Sequence, residues 1–303
     1  MSRIRVGTAS WTDKTLVKES DFYPRRSMSA EERLRHYAAI FTMVEVDATY
    51  YFPPTQELVG LWTRRTPTDF RMDVKAYSLL THHPTSRRSL WEDVAAELVE
   101  DRREGPNVYL SHLPEAAVDR AWEHFREALM PLHSAGKLGA VFFQFPSWFR
   151  PGRASRAYLE QLPARLPDYR VAVEFRHGSW LGDDDRARTL GLLERLGLAY
   201  VCVDEPQGFE SSVPPVLKVT TDLAVLRLHG HNRDTWQATG ISPAERFRYL
   251  YGAEELAAWA PRVQELAADA RETHVVFNNC YRDYGVRNAR QLAELLGQGL
   301  QAD

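Results

Sequence analysis

Two stretches decide the fold of this chain: Ala224-Val225-Leu226-Arg227-Leu228-His229-Gly230-His231, and Thr273-His274-Val275-Val276-Phe277-Asn278-Asn279. Each begins with apolar residues and ends in polar ones, which is typical of a buried strand with reactive groups at its end. In the first stretch Arg227 and His229 share one parity, and the leucines share the other. Because the buried face of a structural sheet is normally apolar, the charged face predicts a site.

Six further segments have the same character. The eight predicted strands cover residues 4–11, 43–50, 70–77, 139–145, 170–177, 199–204, 224–231 and 273–279. Most are followed by helical periodicity, and Ser29-Ala30-Glu31-Glu32 forms a capping box before the first long helix. The count, order and length predict an α/β fold, a (β/α)₈ TIM-like barrel. A doubly wound sheet is the competitor, but no Gly-x-Gly-x-x-Gly follows any strand.

We expect residues 1–303 to form a single barrel domain. Residues 79–137 are too long for a simple crossover, and they are interpreted as a loop elaboration plus a crossover helix after strand three. This segment contains predicted helices at 91–99 and 115–132. An extra helix is predicted near residues 244–251, between strands seven and eight, before a longer one at 254–270.

Composition excludes several classes of protein. The chain has 38 basic and 41 acidic side chains, so it lacks the broad positive surface that grips nucleic acid. Its two cysteines, Cys202 and Cys280, offer neither a disulfide framework nor a thiolate metal site. No apolar stretch approaches membrane-spanning length, and the first predicted strand begins at Ile4, directly after Arg3. We therefore expect a cytoplasmic protein without a membrane partner.

Nine dispersed motifs occur in order: Gly7-Thr8-Ala9-Ser10-Trp11, Phe22-Tyr23-Pro24, Val44-Glu45-Val46-Asp47-Ala48-Thr49-Tyr50-Tyr51, Val74-Lys75-Ala76, Thr81-His82, Gln144-Phe145-Pro146, Glu174-Phe175-Arg176-His177-Gly178-Ser179-Trp180, Arg227-Leu228-His229-Gly230 and Phe277-Asn278-Asn279. This set, which covers nearly the whole chain, resembles the YecE-like family, a domain of unknown function. The resemblance implies a TIM-like barrel distantly similar to sugar isomerases and endonuclease IV-like proteins. The family often has Asn-Ser-Thr-Phe-Tyr at positions 47–51, and Cys280 replaces a common Asp or His, which weakens any catalytic or metal role there.

In a barrel, inward residues near the strand ends converge on one mouth. We expect proton transfer from Glu45, Glu174 and His229, while Lys75, Arg176 and Arg227 stabilise developing charge. Asp73 is predicted to share this polar chamber. The alternative is an internal ion-pair network that only sets strand register.

Further residues are predicted to bind the substrate or an anion, because many barrels hold phosphate beyond strands seven and eight. The predicted binding residues are Ser10, Trp11, Asp47, His177, His231, Asn278, Asn279, Arg287 and Asn288. The alternative is that the arginines are solvated and the strand-end histidines are satisfied core residues. Rim aromatic side chains are predicted either to stack on a base or sugar or to pack loops together.

Three functions remain open at this stage. The first is an enzyme that acts on a small anionic or phosphate-bearing ligand, such as a nucleotide, a nucleic-acid end or a sugar phosphate; hydrolase, lyase and isomerase chemistry all fit. The second is a Schiff-base lyase or aldolase that uses Lys75. The third is a non-catalytic nucleic-acid-binding or scaffold protein. No cofactor is predicted, although Glu45, Glu174, Asp204, His229 and His231 are suitable ligands for a divalent metal.

Overall fold

The computed structural model describes residues 2–99 and 105–298. Eight parallel strands form its central sheet: β1 (Arg3–Thr8), β2 (Met43–Val46), β3 (Arg71–Lys75), β4 (Leu138–Gln144), β5 (Val171–Glu174), β6 (Ala199–Asp204), β7 (Leu223–Leu228) and β8 (Glu272–Phe277). Residues of these strands are almost all buried, as expected for strands covered on both faces.

The sheet is a nearly closed barrel. Its hydrogen-bonded order is β1-β8-β7-β6-β5-β4-β3-β2, and the two end strands, β1 and β2, also contact each other. Each crossover joins parallel strands, so all strand ends with polar groups lie at the same end of the barrel. The predicted (β/α)₈ TIM-like barrel is therefore confirmed.

Helices surround the barrel: α1 (Lys14–Glu19), α2 (Ala30–Ile40), α3 (Gln56–Arg65), α4 (Glu92–Ala96), α5 (Glu115–Ser134), α6 (Arg153–Arg165), α7 (Arg186–Leu196), α8 (Pro243–Arg246), α9 (Ala253–Ala268) and α10 (Tyr284–Leu295). The predicted capping box starts α2, where Ser29 and Glu32 bond each other's backbone N–H groups. The connection from β6 to β7 contains no helix in the described chain.

Several strands end earlier than predicted, because their last polar residues leave the sheet. β2 ends at Val46, and Asp47 begins a short 3₁₀-helix, Asp47–Tyr50. The hydroxyl of Thr49 fixes this turn by donating to the carbonyls of Val46 at 2.8 Å and Lys75 at 2.6 Å. The prediction that Asp47 and Thr49 continue the strand is therefore wrong.

The elaboration after β3 contains more than helices. Thr85–Ser86 pairs antiparallel with Asn107–Val108, and α4 and α5 follow the predicted positions approximately. Residues 100–104 of this predicted segment lie outside the described residues.

The extra helix between β7 and β8 exists as α8, but it is shorter than predicted. The side-chain amide of Asn232 donates to the carbonyl of Arg248 at 3.1 Å. The Arg248 carbonyl therefore accepts a side-chain hydrogen bond instead of a helical backbone one, and residues 247–251 contain no helical structure.

Candidate active site at the C-terminal end of the barrel

Arg227 is the centre of a buried ion network inside the barrel. Its Nη2 donates to Oε1 of Glu45 at 2.9 Å, and its Nη1 donates to Oε2 of Glu174. Nη1 also lies 3.2 Å from Oε1 of Gln144. All three charged side chains are at most 1% exposed. Strands β7, β2 and β5 thus bring one cation and two carboxyl groups into contact.

The two carboxyl groups differ in protonation. Burial raises the pKa of Glu45 to about 7, and Arg227 offsets this effect only in part. Burial acts on Glu174 too, but Arg227, Arg176 and His229 outweigh it and hold its pKa well below the ordinary value. Near neutral pH, Glu45 therefore carries a proton for part of the time while Glu174 stays ionised. Separated pKa values of this kind are what general acid/base chemistry requires.

His229, just past β7, is a neutral imidazole. Burial, aided by the nearby Arg176, lowers its pKa to about 3. Nδ1 lies 2.9 Å from the side-chain nitrogen of Asn278, a donor, so the imidazole proton is assigned to Nε2. Nε2 lies 3.4 Å from Oε1 of Glu174. Both atoms are buried, and their contact is longer than a good hydrogen bond, yet it still contributes to the lowered pKa of Glu174.

Arg176 connects this network to a small cavity at the barrel mouth. Its Nε lies 3.3 Å from Oε1 of Glu174, and its Nη1 lies 3.0 Å from Oε2 of Glu205. Burial raises the pKa of Glu205 to about 7. The cavity encloses about 130 Å³ and is lined by Arg176, Glu205, Ser211, Trp236, Gln237 and Arg246.

Arg246 is the second guanidinium of this cavity. Its Nη2 donates to the carbonyl of Ala238 at 2.6 Å, whereas its buried Nε has no partner in the described chain. No carboxylate of the described residues lies within ion-pair distance of it. Sequence reasoning missed Glu205 and Arg246 as site residues. Glu205 directly follows β6, which was a usable signal. Arg246 lies in the predicted extra helix, where no strand end marks it as a mouth residue.

Lys75 ends β3 beside the ion network. Its Nζ lies 5.0 Å from the ring centre of Tyr50, and the described residues place no carboxylate within ion-pair distance. Burial and then Arg227 lower the pKa of the Lys75 ammonium. Asp47 is close enough for Lys75 to act on its pKa, which burial nevertheless raises. Burial and the charge of Asp47 together raise the pKa of the neighbouring Asp13 to about 8.

Three of the predicted binding residues are already engaged within the protein. Ser10 Oγ accepts from the backbone N–H of Thr12 at 3.1 Å, and Trp11 packs edge-on against Trp62. His177 Nδ1 lies 2.7 Å from the hydroxyl of Ser179, while its buried Nε2 has no partner in the described chain.

Several residues predicted to bind an anion beyond β7 and β8 are bonded to other groups of the protein. His231 pairs with Asp204 at 2.9 Å, and that contact is the main cause of its raised pKa. Asn279 donates to Oδ1 of Asn288, whose own amide donates to the carbonyl of Tyr251. These two asparagines therefore hold loops together.

Arg287 does not join the network. It lies exposed on the first turn of α10, and none of the described residues pairs with its side chain. Its exposure fits the solvated alternative, and anion binding by Arg287 stays a prediction.

Asp73 belongs to a second ionic network rather than to the one around Arg227. Its carboxylate accepts from His274 Nδ1 at 2.8 Å. His274 in turn lies 3.4 Å from Glu272, which pairs with Arg5 at 2.6 Å. Gly139 leaves room for this pair, because a Cβ there would lie 2.2 Å from Asp73 Oδ1. The prediction that Asp73 shares the mouth chamber is therefore wrong.

The described residues contain neither a cluster of metal ligands nor a membrane-spanning helix. Among them, no three His, Cys, Asp or Glu side chains are grouped so that they could hold a metal ion. Glu45 and Glu174 instead bind Arg227. No helix in residues 2–99 and 105–298 is both long and apolar enough to cross a membrane.

The fold and this ion network define the class: a parallel (β/α)₈ barrel protein with ionisable side chains gathered at the C-terminal end. The chain also matches, over residues 5–302, the family described as protein of unknown function DUF72. It therefore belongs to the DUF72 family, and the resemblance to YecE-like proteins is confirmed.

Relatives and solved structures agree with this membership. UPF0759 protein YunF of Bacillus subtilis is 29% identical over 297 residues, which cover 97% of this chain and 94% of YunF. UPF0759 protein YecE of Escherichia coli K12 is 26% identical over 175 residues, 56% of this chain and 52% of YecE. A DUF72 family protein from Thermotoga maritima has a TM-score of 0.76 and 32% identity, with 97% of this chain and 99% of that chain covered. One from Enterococcus faecalis has a TM-score of 0.77 and 26% identity, with coverages of 99% and 97%.

Proposed function

We propose that the protein is an enzyme that binds a phosphate-bearing small substrate at the barrel mouth and acts on it by general acid/base chemistry. The observation that carries this proposal is the cavity of about 130 Å³ that contains Arg176 and Arg246 and adjoins Glu174 through Arg176. The cavity is too small for a whole cofactor-sized ligand, since such pockets occupy roughly 300–1,000 Å³. It suits one charged group of a ligand whose remainder lies outside.

Charge and hydrogen-bonding capacity favour an anionic group in this cavity. Arg246 has no carboxylate partner among the described residues, and its buried Nε has an unused N–H. Guanidinium groups bind phosphate through paired N–H donors, and such charge-assisted bonds are the stronger class of hydrogen bond. The side chains of Ser211 and Gln237 add neutral donors to the same lining.

The acid and the base would be the two carboxyl groups on Arg227. Glu45, with a pKa of about 7, would donate a proton, and the ionised Glu174 would accept one. His229, a neutral imidazole that faces Glu174 through Nε2, would hold that carboxylate in orientation. Arg227 is already neutralised by both carboxyl groups, so its role would be to position them rather than to bind the substrate.

Binding measurements with matched variants test the anion site. Isothermal titration of inorganic phosphate and simple nucleotides into wild type should give binding that Arg246→Gln weakens roughly tenfold, the loss of about 1.4 kcal/mol that one charge-assisted hydrogen bond supplies. Arg248→Gln removes an equal charge from an exposed residue two positions away, and it should bind as wild type does. Equal affinities of wild type and Arg246→Gln would contradict the proposal.

The acid/base assignment has its own test. With any phosphate ester that the wild type turns over, the rate should fall as pH rises through about 7, because Glu45 then loses its proton. Glu45→Gln should abolish this pH dependence together with most of the rate. A rate that Glu45→Gln leaves unchanged would exclude Glu45 as the acid.

A second candidate is Schiff-base chemistry at Lys75. Its favouring observation is the lowered pKa of an ammonium group for which the described chain supplies no carboxylate at ion-pair distance. A deprotonated amine adds to a carbonyl carbon and loses water to give an imine. Borohydride with carbonyl compounds should then trap an adduct in wild type but not in Lys75→Arg. A protein that yields no adduct with short aldehydes, ketones and 2-oxo acids would rule the candidate out.

A further inference from the structure

A larger cavity lies at the opposite, N-terminal end of the barrel. It encloses about 440 Å³, within the range of roughly 300–1,000 Å³ typical of small-molecule sites. Its arginines and carboxylates lie at or just before the starts of β1, β3, β5 and β8: Arg3, Arg5, Arg71, Asp168, Arg170, Arg271 and Glu272. Because strand starts lie opposite the mouth, this cavity is separate from the candidate active site.

Glu272 is surrounded by cations. Its carboxylate lies 2.6 Å from Nε of Arg5 and 2.8 Å from Nη1 of Arg170. Arg71 at 3.7 Å and His274 at 3.4 Å also face it. Burial would raise the pKa of Glu272, but His274 and Arg5 outweigh that effect and lower it. One carboxylate therefore serves four basic groups and cannot satisfy all of their donors.

The remaining charges near the cavity leave guanidinium groups without acceptors. Asp69 neutralises Arg3 and Arg5, and Asp222 pairs with Arg170. Asp168 is the other carboxylate of the lining. Including it, five arginines face four carboxylates around the cavity.

Arg71 and Arg271 are the underused arginines of this set. In the described chain Arg71 makes no side-chain hydrogen bond, and its nearest carboxylate oxygen is the one at 3.7 Å. Arg271 is exposed, and its side chain has no partner among the described residues.

We propose that this N-terminal cavity is a second ligand site, which binds a small polyanion such as a diphosphate through Arg71 and Arg271. A guanidinium without an acceptor has several N–H donors in a planar fork, which match the oxygens of a phosphoryl group. Two such groups in one cavity of this volume favour a ligand with more than one anionic group. Burial opposes protonation of His274, but Asp73 and Glu272 raise its pKa to about 9. Because Asp73 balances this charge at 2.8 Å, the excess positive charge of the cavity comes from its arginines.

Titration with inorganic pyrophosphate tests this proposal. Wild type should bind pyrophosphate more tightly than phosphate. Arg71→Met and Arg271→Met should each weaken pyrophosphate binding by about tenfold or more, the loss expected for a charge-assisted contact. Arg262→Met is the matched control, because Arg262 is an exposed arginine that contacts Trp259 away from the cavity. This control should bind as wild type does.

The two sites give distinguishable results. Pyrophosphate binding that survives Arg246→Gln but is lost in Arg271→Met supports the N-terminal site, whether or not the mouth binds phosphate. Binding that Arg246→Gln removes and Arg271→Met leaves unchanged would assign it to the mouth and overturn the proposal. Absence of binding heat at millimolar pyrophosphate would overturn it as well. Arg271 is exposed, so its substitution leaves the fold intact and keeps the comparison meaningful.

Discussion

Replacement of Arg227 by methionine is the sharpest test of the ion network. Removal of one partner from a buried ion pair costs about 3–5 kcal/mol, because the remaining charge stays buried without compensation. Here two carboxyl groups lose their shared cation. Glu45 can avoid the penalty by keeping its proton, since its pKa is already about 7. The cost therefore falls mainly on Glu174, which retains Arg176 at 3.3 Å, so we expect the lower end of that range, about 3 kcal/mol.

Urea unfolding, followed by fluorescence of the chain's eight tryptophans, measures this loss. The double variant Arg227→Met with Glu174→Gln removes the uncompensated carboxylate, and it should regain about half of the lost unfolding free energy. The difference in unfolding free energy between Arg227→Met and wild type should also become smaller as pH falls from 7 towards 5. Loss of Arg227 would raise the pKa of Glu174, so protonation of Glu174 at lower pH would relieve part of the penalty. A double variant as unstable as the single one, with no dependence on pH, would show that Arg227 acts through packing instead.

Three further predictions concern parts of the barrel away from this network. Asp73→Asn should lower the pKa of His274, which is about 9 in wild type. In wild type, the raised pKa of His274 stabilises the fold fully below about pH 6.5, and this contribution is lost as pH rises through about 9. Imidazole NMR titration checks the pKa, and urea unfolding at pH 6.5 and 9 checks the stability. Gly230→Ala should destabilise the protein more than Gly240→Ala does. Both glycines have positive φ, but only a Cβ at position 230 would lie 2.5 Å from Tyr249. Equal losses of unfolding free energy in the two variants would remove the steric explanation. The buried thiol of Cys202, whose pKa burial raises to about 12, should resist iodoacetamide in the native protein at pH 8, and labelling as fast as in urea would contradict this burial.

The barrel could be predicted because its strands repeat one pattern eight times. Parallel strands that are covered on both faces are almost continuously apolar, and their ends carry the polar side chains. The strand limits were harder to predict. Residues such as Asp47 leave the sheet because the hydroxyl of Thr49 closes a turn on two backbone carbonyls, and only the folded chain brings the second of these, that of Lys75, into reach.

The sequence predicts which side chains lie at the mouth of the barrel, but it does not predict which of them form ion pairs. Alternation places Glu45, Glu174 and Arg227 inside the barrel, yet it does not reveal that Arg227 bonds to both carboxyl groups. Arg246 was beyond reach for another reason. It ends α8, a four-residue helix in the long connection from β7 to β8, and no strand alternation directs its side chain to the mouth. By contrast, arginines at strand starts, such as Arg5 and Arg71, follow the same alternation as the mouth residues and were available to the same reasoning.

Charge balance inside the barrel explains why one carboxyl group has an unusual pKa. In the lower network Asp73 pairs with protonated His274, and Glu272 pairs with Arg5, so each carboxylate has a cation. In the upper network Glu45 and Glu174 share Arg227. Because a buried charge persists only when it is compensated, one of the two must be able to take up a proton, and Glu174 keeps its charge through Arg176. The protonation of Glu45 near neutral pH is therefore a consequence of how many cations the strands supply.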